Sequence, residues 1–539
     1  MPTPRDEARQ WADHMTSTRQ LLGIAKQLPS AAAIEILRRE RVLVAALDGG
    51  AWIIRVPNDE IDDSVRMRVY WSLVELLTRQ YAPAAIDRLA AVRILVGDET
   101  PRETLFIRQA NNQSKRSYQI APGHEIVISP LPERVSPETA GLPGTPTAPR
   151  PVPVAGIQLP VTTPAWLLQA LTIGDLKGNL PLVGSWLRSL VIGLTDLERV
   201  YAAIGKPVVF ARIGELTREA GNTELADRIG MTLHDLGAKM PSPSKTGRHS
   251  LVLPSTLIHA PRTGAPWLDR FAELFGRAAK GLRDARVQTP SRATLSRSEI
   301  LVVARAAKRE DTYHSTTIEG YRVTREEVDA ILSGNPTSAG RTPEAVERLM
   351  ALKGYTVAFD KTLDLMPERT GPVNLTEALI HDINAALWWP SIDAGIVSAT
   401  DLRAWRSRPA FIRRSLHVPP GPEKVPGLMT LYCRLVNELE APTVHRAAIA
   451  HWAFETIHPY VDGNGRIGRL IMNLILGSEG WPWMTIVAED RTEYFNVLQR
   501  AQVDEEFDPF GRFLATRADR AWKAASNLLK RAQGGTANQ

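Results

Sequence analysis

Residues 458–470 read HPYVDGNGRIGRL. Within thirteen positions the chain places a histidine, an acid, a run of small turn residues and two arginines. Gly463 and Gly465 suit backbone angles that other residues avoid. A tight Gly/Asn loop that opens a helix leaves backbone N–H groups unpaired at the positive end of the helix dipole, which is an anion site. Arg466 and Arg469 are three apart and share a helix face, where guanidinium groups can grip phosphate oxygens. Asp462 puts a carboxylate where Mg²⁺ held by a diphosphate would sit. His458 can accept a proton near neutral pH. Together these residues read as a site for nucleotide phosphates with a general base beside it.

The flanking elements must position that loop. HRAAIAHWAFETI (445–457) has apolar residues near one face and reads as a helix that stops at His458-Pro459, because proline cannot continue it. RIGRLIMNLIL (466–476) resumes helical spacing. The expected unit is helix, tight loop, helix.

The whole chain has 539 residues, enough for three or four domains, with 44% hydrophobic and 23% charged residues. No apolar run is long enough to span a membrane, and the N-terminus lacks a secretory core segment, so a soluble cytoplasmic protein is expected. One cysteine, Cys433, excludes an internal disulfide and argues against a thiolate zinc cage. The absence of HExxH argues against a metal hydrolase. The net charge of +6 is a mild excess that permits nucleic-acid or nucleotide partners without requiring them.

Residues 130–164 hold ten prolines in thirty-five positions and read as a spacer, and 237–266 reads as a second linker. Residues 1–129 mix a helix N-capped by Ser30, a hairpin around Asp48-Gly49-Gly50 and further strands, which suggests a small winged helix-turn-helix. Residues 165–236 and 267–530 show helical spacing.

The motif resembles that of the Fic family, H-P-F-x-D/E-G-N-G-R-x-x-R. His458, Pro459, Asp462, Gly463, Asn464, Gly465, Arg466 and Arg469 stand in register, with Tyr460 in place of phenylalanine. The resemblance covers roughly 295–520. It implies AMP transfer from ATP, with Mg²⁺, to a Ser, Thr or Tyr hydroxyl of a target protein. His458 would then be the base and Asp462 the metal ligand. Gly463, Asn464 and Gly465 would cradle the α- and β-phosphates, Arg466 would contact phosphate, and Arg469 would hold the γ-phosphate. Family members that phosphorylate instead carry lysine at the second loop glycine. Gly465 therefore implies AMP transfer.

Three further stretches resemble family features. STTIEG (315–320) matches an inhibitory motif through Ser315, Glu319 and Gly320, on a helix expected at about 312–320. The resemblance implies that Glu319 pairs with Arg469 and spoils the γ-phosphate pose. WRSRPAFIRRSLHVPPGPEKVPGLM (405–429) resembles the β-hairpin flap that docks a target segment as an added strand, with Phe411, Ile412 and Arg413 at its centre. TEYFNVLQRA (492–501) resembles the helix lining the base, with Tyr494 as the candidate. Asn384 stands where the family often has histidine.

AALDGGAWIIRVP, VRMRVYWSLVELL and LFIRQANNQSKRSYQIAPG resemble AbiEi-type antitoxins and related regulators. That implies DNA or partner binding through residues such as Arg38, Arg39, Arg41, Lys115 and Arg116. The expected fold is mainly α: a helical Fic-type bundle with a β-hairpin flap, preceded by a small winged-helix α+β region and a helical middle domain. Two other functions fit the same residues. One is removal of AMP by the same site. The other is a transcriptional regulator whose Fic module senses nucleotide or modifies itself. Oligomerisation is left open.

Overall fold

The computed structural model describes residues 3–17, 22–24, 29–40, 43–47, 51–54, 62–102, 104–111, 114–204, 207–238, 253, 263, 265–284, 294–334, 342–397, 402–412 and 415–535. They form two compact units. One comprises residues 1–273 with 410–421, and the other 274–409 with 422–539. No helix among the described residues is long and apolar enough to cross a membrane.

The first unit opens with α1 (Pro4–Ser17), β1 (Leu22–Ile24), α2 (Ala31–Arg39), β2 (Leu43–Leu47) and β3 (Ala51–Ile54). The strands form an antiparallel sheet in the order β1-β3-β2. Ser30 caps α2 by accepting from Ala33 N at 3.3 Å. Then come α3 (Asp62–Arg68), α4 (Tyr70–Gln80), β4 (Ala84–Asp87), α5 (Arg88–Leu95), β5 (Thr104–Gln109), β6 (Arg116–Ala121) and β7 (His124–Pro130). The second sheet runs β4-β5-β7-β6, with β5 and β7 parallel.

The proline-rich stretch 130–164 is not a spacer. It holds α6 (Pro137–Ala140) and the ribbon β8 (Val152–Val154) with β9 (Ile157–Leu159), and it buries Leu142, Val154, Leu159 and Val161. The prolines fit because of where they sit. Pro137 and Pro164 open helices capped by Ser136 and Thr163, where a missing N–H costs nothing. Pro153 lies in a two-stranded ribbon, where every strand is an edge. Helices α7 (Pro164–Ala170), α8 (Ile173–Gly178), α9 (Leu180–Ser189), α10 (Leu194–Ile204), α11 (Pro207–Glu219) and α12 (Thr223–Asp235) complete the succession. One apolar core runs from Ile53 to Leu253 through the sheet and these helices. Most of the expected linker 237–266 lies outside the described residues.

The segment expected as a hairpin flap holds no strand among its described residues, and 410–421 belongs to the first unit. Val418 enters the core and Leu416 packs on it. Gly421 N donates to Glu99 Oε1 at 3.2 Å, and His417 Nδ1 lies 3.3 Å from Thr100 Oγ1. Pro409, Pro419 and Pro420 each remove a ladder donor, and two short strands alone are marginal. Phe411 is 46% exposed and Ile412 half-buried, while Arg413 lies outside the described residues.

The second unit is helical. Helix α13 (Pro266–Asp284), in which the division between the units falls, is followed by α14 (Arg297–Ile318), α15 (Arg325–Leu332), α16 (Pro343–Asp364) and α17 (Glu377–Asp393). The remainder is α18 (Val425–Glu438), α19 (Thr443–Ile457), α20 (Asn464–Ser478), α21 (Arg491–Gln499) and α22 (Phe507–Gly535). Capping boxes Ser296–Glu299 and Thr324–Glu327 start α14 and α15. Helices α19 and α20 are buried on almost every face, as central helices of a bundle must be. Gly468 lets them approach closely, since a Cβ there would overlap Glu455 Oε1 and stand 3.0 Å from His451 Nδ1.

Candidate active site

The motif loop joins the C-terminus of α19 to the N-terminus of α20. His458 caps α19 in the left-handed region, at φ 52° and ψ 60°, and its N–H donates to Phe454 O at 2.8 Å. That conformation costs a non-glycine residue about 1–3 kcal/mol and persists only where neighbours hold it. Arg406 holds it: Nε donates to His458 O at 2.8 Å, and its backbone N–H to Pro459 O at 2.9 Å. The His458 side chain is 17% exposed, and its Nδ1 lies 3.9 Å from Glu455 Oε2.

Gly463 caps α20 at φ 86°, an angle that favours glycine. Its N–H donates to Asp462 Oδ1 at 2.5 Å. The Asp462 side chain is 59% exposed, which leaves the carboxylate open to a ligand. Among the described residues no group of three or more His, Cys, Asp or Glu is arranged to hold a metal ion. An exposed single carboxylate suits Mg²⁺, which takes one or two carboxylates with substrate phosphates and water rather than a full protein cage.

The Asn464 side chain ties the loop to itself through one of its two N–H groups and its carbonyl. Its Oδ1 accepts from Tyr460 N at 2.9 Å and its Nδ2 donates to Tyr460 O at 2.8 Å, which closes the loop. Tyr460 in turn lies 2.8 Å from His381 Nδ1 through its hydroxyl.

The two motif arginines are buried and diverge. Arg466 is 2% exposed and lies 5.5 Å from the Tyr321 ring centroid and 5.4 Å from that of Trp388. Arg469 Nε donates to Ser315 Oγ at 2.8 Å, and Nη2 donates to Ser315 O at 3.0 Å and to Glu319 Oε1 at 2.6 Å. Burial works against the charge on Arg469, and the Glu319 carboxylate more than offsets it, so the guanidinium is held charged. A Cβ on Gly465 would overlap Glu319 Oε1, so Glu319 sits over the first turn of α20 where an anion would bind.

Helix α14 carries Ser315 and is capped at its C-terminus by Glu319, and buried contacts hold its last turns. Buried Asp311 accepts from Tyr355 Oη at 2.7 Å and Thr485 Oγ1 at 2.8 Å. Arg491 Nε donates to Ile318 O at 2.8 Å, and Gly320 turns the chain away at φ 97°. The expected inhibitory stretch is thus the last turns of a 22-residue helix.

Tyr494 is closed in the core, 1% exposed, with its hydroxyl 2.7 Å from His451 Nε2. It does not line an open base site. Burial raises its pKa and lowers that of His451 to about 3. Residues that the sequence reading passes over also matter here. Arg406 shapes the His458 turn, Tyr321 and Trp388 flank Arg466, and Glu455 lies buried between α19 and α20 with a pKa pushed up to about 8 by burial, then by the Glu319 charge. Glu455 stands three before His458, and that helical spacing is the one signal that could have found it.

Residues 374–476 match the Fic/DOC family. Over 102 residues the chain is 40% identical to the Protein adenylyltransferase Fic of Drosophila sechellia, covering 18% of this chain and 20% of that protein. It is 29% identical over 206 residues to the protein of the same name from Drosophila erecta, covering 38% and 39%. The chain thus spans one fifth to two fifths of the length of these curated relatives. Among solved structures, a Fic domain-containing signaling protein from Bacteroides thetaiotaomicron is similar at 22% identity and a TM-score of 0.37, covering 47% of this chain and 98% of that one. Fic-1 from C. elegans is similar at 17% identity and a TM-score of 0.38, covering 65% and 98%.

Proposed function

We propose, from the Fic/DOC-family domain that residues 374–476 constitute, that the protein is an adenylyltransferase that moves AMP from ATP to a protein hydroxyl and restrains itself through Glu319. The observation that carries this reading is the Arg469–Glu319 pair at 2.6 Å, set over a helix N-terminus one loop away from His458.

The reaction follows from the residues. His458 takes the proton of the target hydroxyl, the hydroxyl oxygen bonds to the α-phosphorus, and the bond from that phosphorus to the bridging oxygen breaks. Diphosphate leaves with the electron pair. The first-turn N–H groups of α20 face the phosphates, and positioning with charge stabilisation supplies most of the rate. Asp462 would hold Mg²⁺, which when bound neutralises phosphate charge. Arg469 is the partner for the terminal phosphate, and Glu319 competes for it with a carboxylate of the same charge. While Glu319 is in place, ATP is held out of its productive pose.

The N-terminal region is proposed as a DNA- or partner-binding module. Its succession of helix, strand, helix and hairpin supports this, as does α2, which carries Arg38 and Arg39 with side chains 56% and 78% exposed. Binding of duplex DNA that weakens steeply with salt is the expected behaviour, and its absence would remove this part.

The catalytic reading is tested by incubating the full chain with Mg²⁺ and ATP labelled at either the α- or the γ-phosphate. Protein label from the α position alone, lost in His458→Ala, is expected. Label from the γ position would identify a phosphotransferase instead.

A further inference from the structure

The last turns of α14 are held by a short segment of the same unit, residues 488–491. Ala488 N–H donates to His314 Nδ1 at 3.1 Å, and Arg491 Nε donates to Ile318 O at 2.8 Å. His314 stands next to Ser315, and Ile318 next to Glu319. Both bonds therefore lie beside the residues that engage Arg469. His314 is 6% exposed, so its ring has little water to turn to.

A backbone N–H can only donate, so the Ala488 bond fixes the tautomer of His314: Nδ1 carries the lone pair and Nε2 the proton. Nε2 faces Glu310 Oε2 at 3.6 Å, a direction that suits an N–H. A second proton has only Nδ1 to occupy, and there it would meet the Ala488 N–H head on. Glu489 Oε2 lies 3.9 Å from Nδ1, one residue beyond Ala488, and is the acceptor that a protonated ring can turn to instead. Burial acts most strongly on the ring and holds its pKa below the usual 6.5; Glu489 and Glu310 favour the proton, Arg325 at the start of α15 opposes it, and Asp311 favours it.

We propose that His314 is an acid-sensitive latch on the Glu319 brake: a proton at Nδ1 breaks the bond from Ala488 and frees the end of α14. Residues 488–491 draw back together, so the Arg491 bond to Ile318 O weakens with the Ala488 bond. Glu319 then leaves Arg469 more often, and the guanidinium opens to the terminal phosphate. The latch rests on the reading of Glu319 as a competitor for its effect on AMP transfer, and on the His314 contacts alone for its effect on the helix. The sign follows from which state takes the proton. The latched ring is the weaker base, so the latch is whole above about pH 6.5 and weakens as pH falls below it, by at most about tenfold per pH unit for one proton.

The test is amide hydrogen exchange of the full chain at pH 7.5, 6.5 and 5.5, corrected for the intrinsic pH dependence of exchange. It is made on the wild type, His314→Asn and Glu489→Gln. The Asn side chain offers an acceptor near the place of Nδ1 and cannot take up a proton. In the wild type, protection of 315–320 relative to 300–308 of the same helix should hold from pH 7.5 to 6.5 and fall by about three- to tenfold from 6.5 to 5.5. In His314→Asn it should stay level. Glu489 is 72% exposed, so Glu489→Gln folds whatever becomes of the other variant, and it should move the onset down by about half a pH unit. Glu455 also titrates near Glu319, but it does so in all three proteins, and the comparison between them isolates His314. A level wild-type profile, an equal fall in His314→Asn, or an unmoved onset in Glu489→Gln would each overturn the latch. No nucleotide enters the exchange experiment, so it stands whether or not AMP is transferred. The ratio of wild-type to Glu319→Gly AMP transfer, in which the pH dependence of His458 cancels, should then rise as pH falls from 6.5 to 5.5.

Discussion

Replacing Glu319 with glycine should release the enzyme, and the structure sets the scale. Arg469 donates to Ser315 Oγ, Ser315 O and Glu319 Oε1. Only the last carries charge. A hydrogen bond to a charged group is worth about 1.5–3 kcal/mol net, and the terminal phosphate must recover that amount to displace Glu319. Removing the competitor returns it. At about 1.4 kcal/mol per tenfold in rate, Glu319→Gly should raise AMP transfer by about 10- to 150-fold. Glu319→Gln keeps an acceptor but loses the charge, and should fall between the two. Arg469 keeps two acceptors, so the variant should remain folded, at a cost of about 1–3 kcal/mol. The assay is the initial rate of α-label incorporation with Mg²⁺, beside a urea unfolding curve for each protein. A folded Glu319→Gly within twofold of wild type would refute the argument, because the pair would then be an ion pair without a competitor.

Other consequences can be measured. Arg406→Met should lower kcat by about 10- to 100-fold, with ATP binding little changed, because a misplaced base costs about that much; a KM effect alone would contradict the role given to Arg406. Gly468→Ala should destabilise the protein by about 1–3 kcal/mol through overpacking against Glu455 and His451, read as a lower urea midpoint. Glu455 has a folded pKa of about 8 against an ordinary 4.5. The folded state then binds the extra proton between those values, so its contribution to stability is greatest below about pH 4.5 and is lost as pH rises towards 8. Glu455→Gln should flatten that decline, and identical pH slopes in the two proteins would count against it.

The motif from His458 to Leu470 is legible because its chemistry needs particular residue types at fixed chain spacing, and a loop between two helices keeps that spacing in space. Glu319 is legible through its motif, although its partner lies 150 positions away. Arg406, Tyr321 and Trp388 are not legible, because they reach the site from separate elements and nothing in their local sequence distinguishes them from surface or core residues. Tyr494 shows a related limit. Helical spacing shows that it faces inward but not whether it meets a ligand or only His451. The proline-rich stretch 130–164 misleads for a different reason. A proline count registers missing N–H groups, and it cannot tell an extended spacer from a folded run whose prolines stand at helix starts and ribbon edges.

The chain enters the first unit a second time at Ala410 and leaves it at Gly421, and this has a consequence for synthesis. The ribosome completes residue 273 long before it reaches 421. At about 5–20 residues per second, the roughly 150 residues between take about 7–30 s. For that interval Glu99 lacks the Gly421 donor and the core lacks Val418. The first unit is therefore completed only after residues 274–409 of the second have been made and before its motif loop has, and a nascent chain cut short in that interval carries neither unit whole.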